Sequence, residues 1–112
     1  MCIFCKIANK EIPSSIVYED DKVIAIDDIN PQAPVHVLVI PKTHSDNIVE
    51  FSESEPSDVK AVMKAIAEVS RIKGLNAGFR VINNCGKAAG QTVEHVHFHV
   101  LGGVDMSETL IK

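Results

Sequence analysis

Three of the chain's five histidines stand two apart, at His95, His97 and His99, within Glu94-His95-Val96-His97-Phe98-His99-Val100-Leu101. The Val and Phe residues between them favour a strand, on which successive side chains point to opposite faces. The three rings are therefore expected on one side, roughly 6 to 7 Å apart, with Val96, Phe98 and Val100 buried on the other. Imidazole near neutral pH is a nucleophile, a proton acceptor or a metal ligand. Three of them on an anchored strand read as a catalytic or metal-binding surface, because Val or Leu would fill a core better. Just before them runs Gly86-Lys87-Ala88-Ala89-Gly90, a flexible loop whose glycines allow N–H groups to converge on an anion. Asn84, Gln91 and Thr92 add side-chain donors. The same loop also reads as a plain hairpin connection, but a phosphate held by it would lie within reach of the middle ring.

Cys2 and Cys5 form a Cys-x-x-Cys pair. It reads as a redox motif, as half of a zinc site, or as chance. The redox reading asks for a strand-to-helix junction inside a βαβ pattern, which the surrounding residues do not offer. Cys85 reads as a small loop residue with no base beside it.

These residues need a scaffold. Ile3, Phe4 and Ile7 have the spacing of one helical turn laid on a core, and Pro13 ends it. Residues 16–19 and 23–27 read as strands around an Asp20-Asp21 turn, and residues 27–34, with Pro31 and Pro34, as a loop. Residues 35–40 form a third strand ended by Pro41, with His36 at its start and His44 in the turn that follows. A long helix is expected between Ser57 and Lys73, with Val59, Val62, Met63, Ile66, Val69 and Ile72 on one stripe, Ser57 as its cap and Gly74 as its stop. Its charged face, with Lys60, Lys64, Glu68 and Arg71, reads as solvated surface. Residues 79–83 form a further strand. The expected fold class is α+β: one domain over residues 1–112, an antiparallel sheet of about five strands, one long helix and a short N-terminal helix.

Composition narrows the function. With 46% hydrophobic and 23% charged residues the chain reads as an ordinary globular protein. A net charge of -4 argues against a non-specific nucleic-acid binder. No apolar run approaches the roughly 20 residues of a membrane span, and no basic-then-apolar leader is read, so a cytoplasmic location is expected. An odd count of 3 cysteines does not suggest a disulfide framework.

Asp28-Ile29-Asn30-Pro31-Gln32-Ala33-Pro34, His36-Val37-Leu38-Val39-Ile40-Pro41-Lys42, Gly90-Gln91-Thr92 and His95 to Gly103 follow one another in an order that resembles the histidine triad (HIT) family. That family's signature is His-apolar-His-apolar-His-apolar-apolar, and several motifs agreeing in order are stronger than the triad alone. The resemblance is specific to the branch of small nucleoside phosphoramidases. It implies a HIT-like fold and hydrolysis of purine nucleoside phosphoramidates, with His97 as the nucleophile that forms a nucleotidyl-histidine. It further implies that His99, Gly90, Gln91 and Thr92 hold phosphate oxygens or the leaving group, with Asn84 supporting the same phosphate. Asp28 would bind the ribose hydroxyls, and His36 would pack behind the triad as a further member of the catalytic set. Ile3, Phe4, Ile7, Ile26 and Ile29 would form the purine slot, although each also reads as ordinary core.

The resemblance implies no cofactor for catalysis. It does imply a structural zinc, which some bacterial members carry, and Cys2, Cys5, His44 and His95 would make a tetrahedral Cys₂His₂ set. In that case His95 is structural; otherwise the two thiols pack reduced beside the core. The family also implies a homodimer formed through the long helix and the strand around residues 79–83. Residues 104–112 lack the Trp-containing ending of related phosphoramidases, which leaves leaving-group preference open. Dinucleoside polyphosphate hydrolysis, a non-catalytic nucleotide- or zinc-binding regulatory role, and, ranked last, a three-histidine metal enzyme stand as alternatives.

Overall fold

The computed structural model describes residues 2–111. Its strands, β1 (Ile16–Glu19), β2 (Val23–Asp27), β3 (Val35–Pro41), β4 (Phe79–Ile82) and β5 (Phe98–Gly102), form one antiparallel sheet in the order β1-β2-β3-β5-β4. Three helices accompany it: α1 (Ile3–Ala8), α2 (Ile48–Phe51) and α3 (Pro56–Ile72). This is the expected α+β architecture, with the long helix on one face and the short N-terminal helix on the other. Among the described residues no helix is long and apolar enough to cross a membrane.

Local chemistry explains the elements. The β1–β2 turn closes because Asp20 Oδ1 accepts the N–H groups of Lys22 and Val23, each at 2.8 Å, while the Tyr18 hydroxyl donates to Oδ2 at 2.9 Å. An Asp that satisfies the backbone two residues on is a natural turn former. Helix α3 begins at Pro56, with Glu55 as its cap and no side-chain capping bond, rather than at Ser57. Proline suits the first helical position because its φ is preset and the N–H it lacks would find no partner there. The unexpected α2 is a single turn capped by Asn47, whose side chain accepts from Glu50 N at 2.9 Å.

Alternation along β2, β3 and β5 sorts the core into two layers. Val23, Ala25, Val37, Val39, Phe98 and Val100 meet Val62, Ala65, Ile66 and Val69 of α3. Ile24, Ile26, Leu38 and Ile40 meet Phe4 and Ile7 of α1. Both faces of the central strands are covered, which is why β2 and β3 read as nearly unbroken apolar runs. Met63 and Ile72, expected on the buried stripe, are 55% and 54% exposed, and Ala65 takes the inner position. Ion pairs Lys22–Asp58 (3.2 Å) and Lys73–Asp27 (3.0 Å) fasten α3 to the sheet. Gly102, at the end of β5, is approached so closely by Leu75 that a Cβ there would stand 2.7 Å from its side chain.

Candidate functional site

The histidine run is not one strand. Strand β5 starts at Phe98, and His95 and His97 lie in the bend that enters it. Two bonds hold that bend: Val96 N donates to Ser45 O at 2.7 Å, and Asn83 Nδ2 donates to His97 O at 2.9 Å. Because the bend turns the chain, His95 joins one group of side chains while His97 and His99 join another.

His97 is buried, and its Nδ1 lies 2.8 Å from the carbonyl oxygen of His95. Only a protonated Nδ1 can make that bond, so in the neutral ring the lone pair lies on Nε2. The ring of Phe4 meets it edge-on, with centroids 4.9 Å apart and planes at 79°, and the His99 ring lies 5.1 Å away.

His36 and His99 project from β3 and β5 on the face away from α3. In the register His36 opposes Leu101 and Leu38 opposes His99, so the two histidines are diagonal neighbours. Gln32 N donates to His36 Nδ1 at 3.0 Å, which leaves the proton of His36 on Nε2. That Nε2 lies 2.8 Å from His99 Nδ1 and 3.4 Å from Asp28 Oδ2. His36 therefore donates to His99, and His99 carries its own proton on Nε2. Burial, reinforced by the fields of His97 and His36 and opposed by Asp28, lowers the His99 pKa to about 4. His99 is thus a neutral N–H donor near pH 7. Ligand atoms of Asp28, His36 and His99 lie within 4.8 Å of one another. The Gln32 N–H pointing at His36 Nδ1 nonetheless makes them a hydrogen-bond relay, since a metal would need a bare Nε2.

The remaining substrate-binding candidates divide. Phe4, Ile7 and Ile26 are buried, whereas Ile29, beside Asp28, is 93% exposed and Ile3 is half exposed. Asp28 Oδ1 accepts from Asn30 N at 2.8 Å, which pins the carboxylate in its loop. The glycine loop is a single 3₁₀ turn, Lys87–Ala89, between Gly86 and Gly90 with φ of 89° and 91°. Four of the N–H groups from Gly86 to Gln91 are turned inward. Gly86 N donates to Gln91 Oε1 (2.8 Å), Ala89 N and Gln91 N to Gly86 O (3.1 Å each) and Gly90 N to Lys87 O (3.0 Å). Gln91 Nε2 in turn donates to Asp46 O at 2.6 Å and Val93 O at 3.0 Å. Gln91 therefore holds the loop in shape. The side-chain amide of Asn84 and the exposed Thr92 hydroxyl make no hydrogen bond among the described residues, and Thr92 and Gly90 help line a cleft of about 500 Å³.

Cys2, Cys5, His44 and His95 form the second group. Their Sγ and Nδ1 atoms make a compact tetrahedron: Cys2–Cys5 3.2 Å, Cys2–His44 3.6 Å, Cys2–His95 3.2 Å, Cys5–His44 3.4 Å, Cys5–His95 3.5 Å and His44–His95 3.1 Å. The centre of such a figure is about 2.0 Å from each corner, close to zinc's bond lengths to nitrogen and sulfur of roughly 2.0 and 2.3 Å. Each histidine directs its other nitrogen to an acceptor, His95 Nε2 to Pro41 O at 2.7 Å and His44 Nε2 to Asp46 Oδ1 at 2.8 Å. That is the outer support expected of ligating imidazoles, and it turns both Nδ1 lone pairs inward. Burial and the adjoining Cys2 push the Cys5 thiol up, so ionising both sulfurs calls for a cation between them. The donor set fits zinc.

Sequence reasoning missed Asn83 and the Gln32 amide, the groups that hold His97 and orient His36. Asn83 was legible in principle, because pairing of Ile82 with His99 brings the residues after Ile82 alongside those before Phe98.

The HIT domain model matches residues 9–106. Protein HitA of Neisseria gonorrhoeae is 44% identical over 101 residues, spanning 90% of this chain and 94% of the relative. The 14 kDa zinc-binding protein of Zea mays is 44% identical over 108 residues, spanning 94% and 84%. Among solved structures, a HIT family hydrolase from Clostridium thermocellum superimposes with a TM-score of 0.93 at 53% identity, over 98% of this chain and 96% of that one.

Proposed function

The chain belongs to the HIT domain family, and from that premise we propose that it is a nucleotide hydrolase of the phosphoramidase branch, cleaving purine nucleoside phosphoramidates through a nucleotidyl-histidine on His97. The observation that carries this reading is the 2.8 Å bond from His97 Nδ1 to the His95 carbonyl, which in the neutral ring puts the nucleophilic lone pair on Nε2 without a separate base.

In the first step Nε2 attacks phosphorus, the P–N bond breaks, and the nitrogen leaves as an amine after taking a proton from solvent. In the second, water attacks the same phosphorus and gives up a proton to solvent, the His97–phosphorus bond breaks to return the lone pair to Nε2, and the nucleoside monophosphate departs. His99, a neutral N–H donor, stabilises charge on a phosphate oxygen rather than delivering a proton. The relay from Gln32 through His36 leaves that N–H for the substrate, and Asn84 and Thr92 offer further donors on the chain that leads into the triad. Asp28 is suited to the ribose hydroxyls, with the exposed Ile29 and the edge of Phe4 flanking the base. Beyond the covalent step on His97, the task is mostly positioning and charge stabilisation, as expected for transfer at phosphorus. Cys2, Cys5, His44 and His95 would hold zinc, which supplies a crosslink between α1 and the two histidine segments.

The sheet edge at β4 exposes Phe79, Val81 and Ile82, and α3 exposes Met63 and Ile72, a surface suited to a second copy of the chain. We read the active form as a homodimer of a single-domain subunit.

Brief mixing with an adenosine phosphoramidate, followed by mass spectrometry at alkaline pH, tests the chemistry. An adenylyl adduct on His97 is expected, and its absence from wild-type protein that turns over the substrate would overturn the covalent route.

A further inference from the structure

We infer that metal occupancy of the Cys2–Cys5–His44–His95 cluster sets the affinity of the nucleotide site, with Phe4 as the positioning residue that couples the two. The inference rests on the nucleotide reading above and goes beyond a metal that merely staples the fold.

Helix α1 has 6 residues, too few to persist in water without outside support. Its support is the cluster itself. Cys2 is the helix cap, with its sulfur accepting from Cys5 N at 3.2 Å, and Cys5 sits in the first turn. Both cysteines reach residues more than thirty positions away, at His44 and His95. Phe4 lies between them in sequence, and its ring meets His95 edge-on at 6.0 Å and His97 at 4.9 Å. A second route runs through the backbone, because the ligand His95 offers its carbonyl to His97 Nδ1. Two sulfurs and two inward-turned imidazole nitrogens, all within 3.6 Å of one another, make a cage of four donor atoms that a cation would tie together. Without the metal, α1 loses its tie to His44 and His95 and is held chiefly by the packing of Phe4, Ile7 and Ala8, so it frays, the wall beside His97 loosens, and nucleotide binding weakens. Coupling of this kind is reciprocal: whatever factor zinc contributes to nucleotide affinity, nucleotide contributes to zinc affinity.

The experiment uses the full chain, zinc-loaded and metal-free, with AMP as the nucleotide probe. Calorimetry gives AMP affinity for both forms, and competition with a chromophoric chelator gives zinc affinity with and without saturating AMP. Both affinities are expected to change by the same factor, about tenfold. Hydrogen exchange should show loss of protection confined to residues 3–8 in the metal-free protein, with β2, β3 and β5 still protected. Phe4→Leu should bind zinc as the wild type does yet show most of the coupling gone. Equal AMP affinity in the two forms overturns the inference while leaving the nucleotide reading intact; no AMP binding to either form overturns both. Loss of protection across the whole sheet on metal removal, or undiminished coupling in Phe4→Leu, would also defeat it.

Discussion

Nε2 of His36 stands 2.8 Å from Nδ1 of His99, joining two strands by a bond between residues that are diagonal rather than opposite in the register. Removing the donor frees the His99 tautomer. His36→Ala is expected to lower kcat/KM about 10- to 100-fold, the usual cost of losing a group that orients a functional imidazole. Nucleotide affinity should change less, and steady-state kinetics with an adenosine phosphoramidate checks both.

The burial of His99 has a pH signature. The folded His99 pKa of about 4 lies below its ordinary 6.5, so between those values the unfolded chain binds the proton that the folded chain refuses. Stability contributed by this group is therefore complete above pH 6.5 and is lost as pH falls towards 4. Denaturant titrations across that window should show a shallower slope for His99→Gln than for the wild type, by up to about one proton. Parallel slopes would place the burial cost elsewhere.

Asn83 acts on His97 only through its backbone carbonyl, at 2.9 Å. One hydrogen bond contributes about 1 kcal/mol, so Asn83→Ala is expected to lower kcat by up to about tenfold while KM stays near its original value. Asn83→Asp, which cannot donate to that carbonyl, should do no better. A change confined to KM would show that Asn83 meets the substrate instead.

Metal analysis should return one zinc per chain, and chelation should lower the thermal midpoint with the logarithm of free zinc, as mass action requires. Cys5→Ser is expected to abolish that dependence and to melt near the chelated wild type. Because the ligand atoms span residues 2 to 95, the effect should exceed that of losing any single surface ion pair.

At Gly102 the constraint is steric alone, with Leu75 2.7 Å from where a Cβ would stand. Gly102→Ala is expected to destabilise the fold by about 1–3 kcal/mol, the ordinary cost of overpacking. Adding Leu75→Val should recover part of it, and a double-mutant cycle by urea denaturation would expose the coupling.

How legible these features were depended on whether they were local. Strands β1 and β2 could be read to the residue because apolar alternation on either side of an Asp turn is a short-range signal. Helix α2 escaped notice because four residues carry no period, and the start of α3 was displaced because Pro56 outcompetes Ser57 as a starting signal. The relay residues His36 and His99 were identifiable by type, but their bond depends on the pairing of β3 with β5, and its direction depends on an amide in a proline loop. The internal bonding of the glycine loop was hidden for a similar reason. The N–H groups of Gly86, Ala89, Gly90 and Gln91 are taken by Gly86 O, Lys87 O and the Gln91 side chain, and nothing in the spacing of two glycines reveals that. Likewise the departure of His95 from the other two rings follows from a bend held by Ser45 and Asn83, both distant in sequence from it.

Asp46 takes part in both centres, but with different parts of itself. Its carboxylate supports the outer nitrogen of His44, while its main-chain oxygen receives the Gln91 amide that keeps the glycine turn in place. Every amino acid possesses the second of these groups and few possess the first. A replacement at this one position can therefore retune how firmly the cysteine–histidine cage grips an ion while the neighbouring turn is left as it was, so the two halves of the machine are separately adjustable at the very residue where they meet.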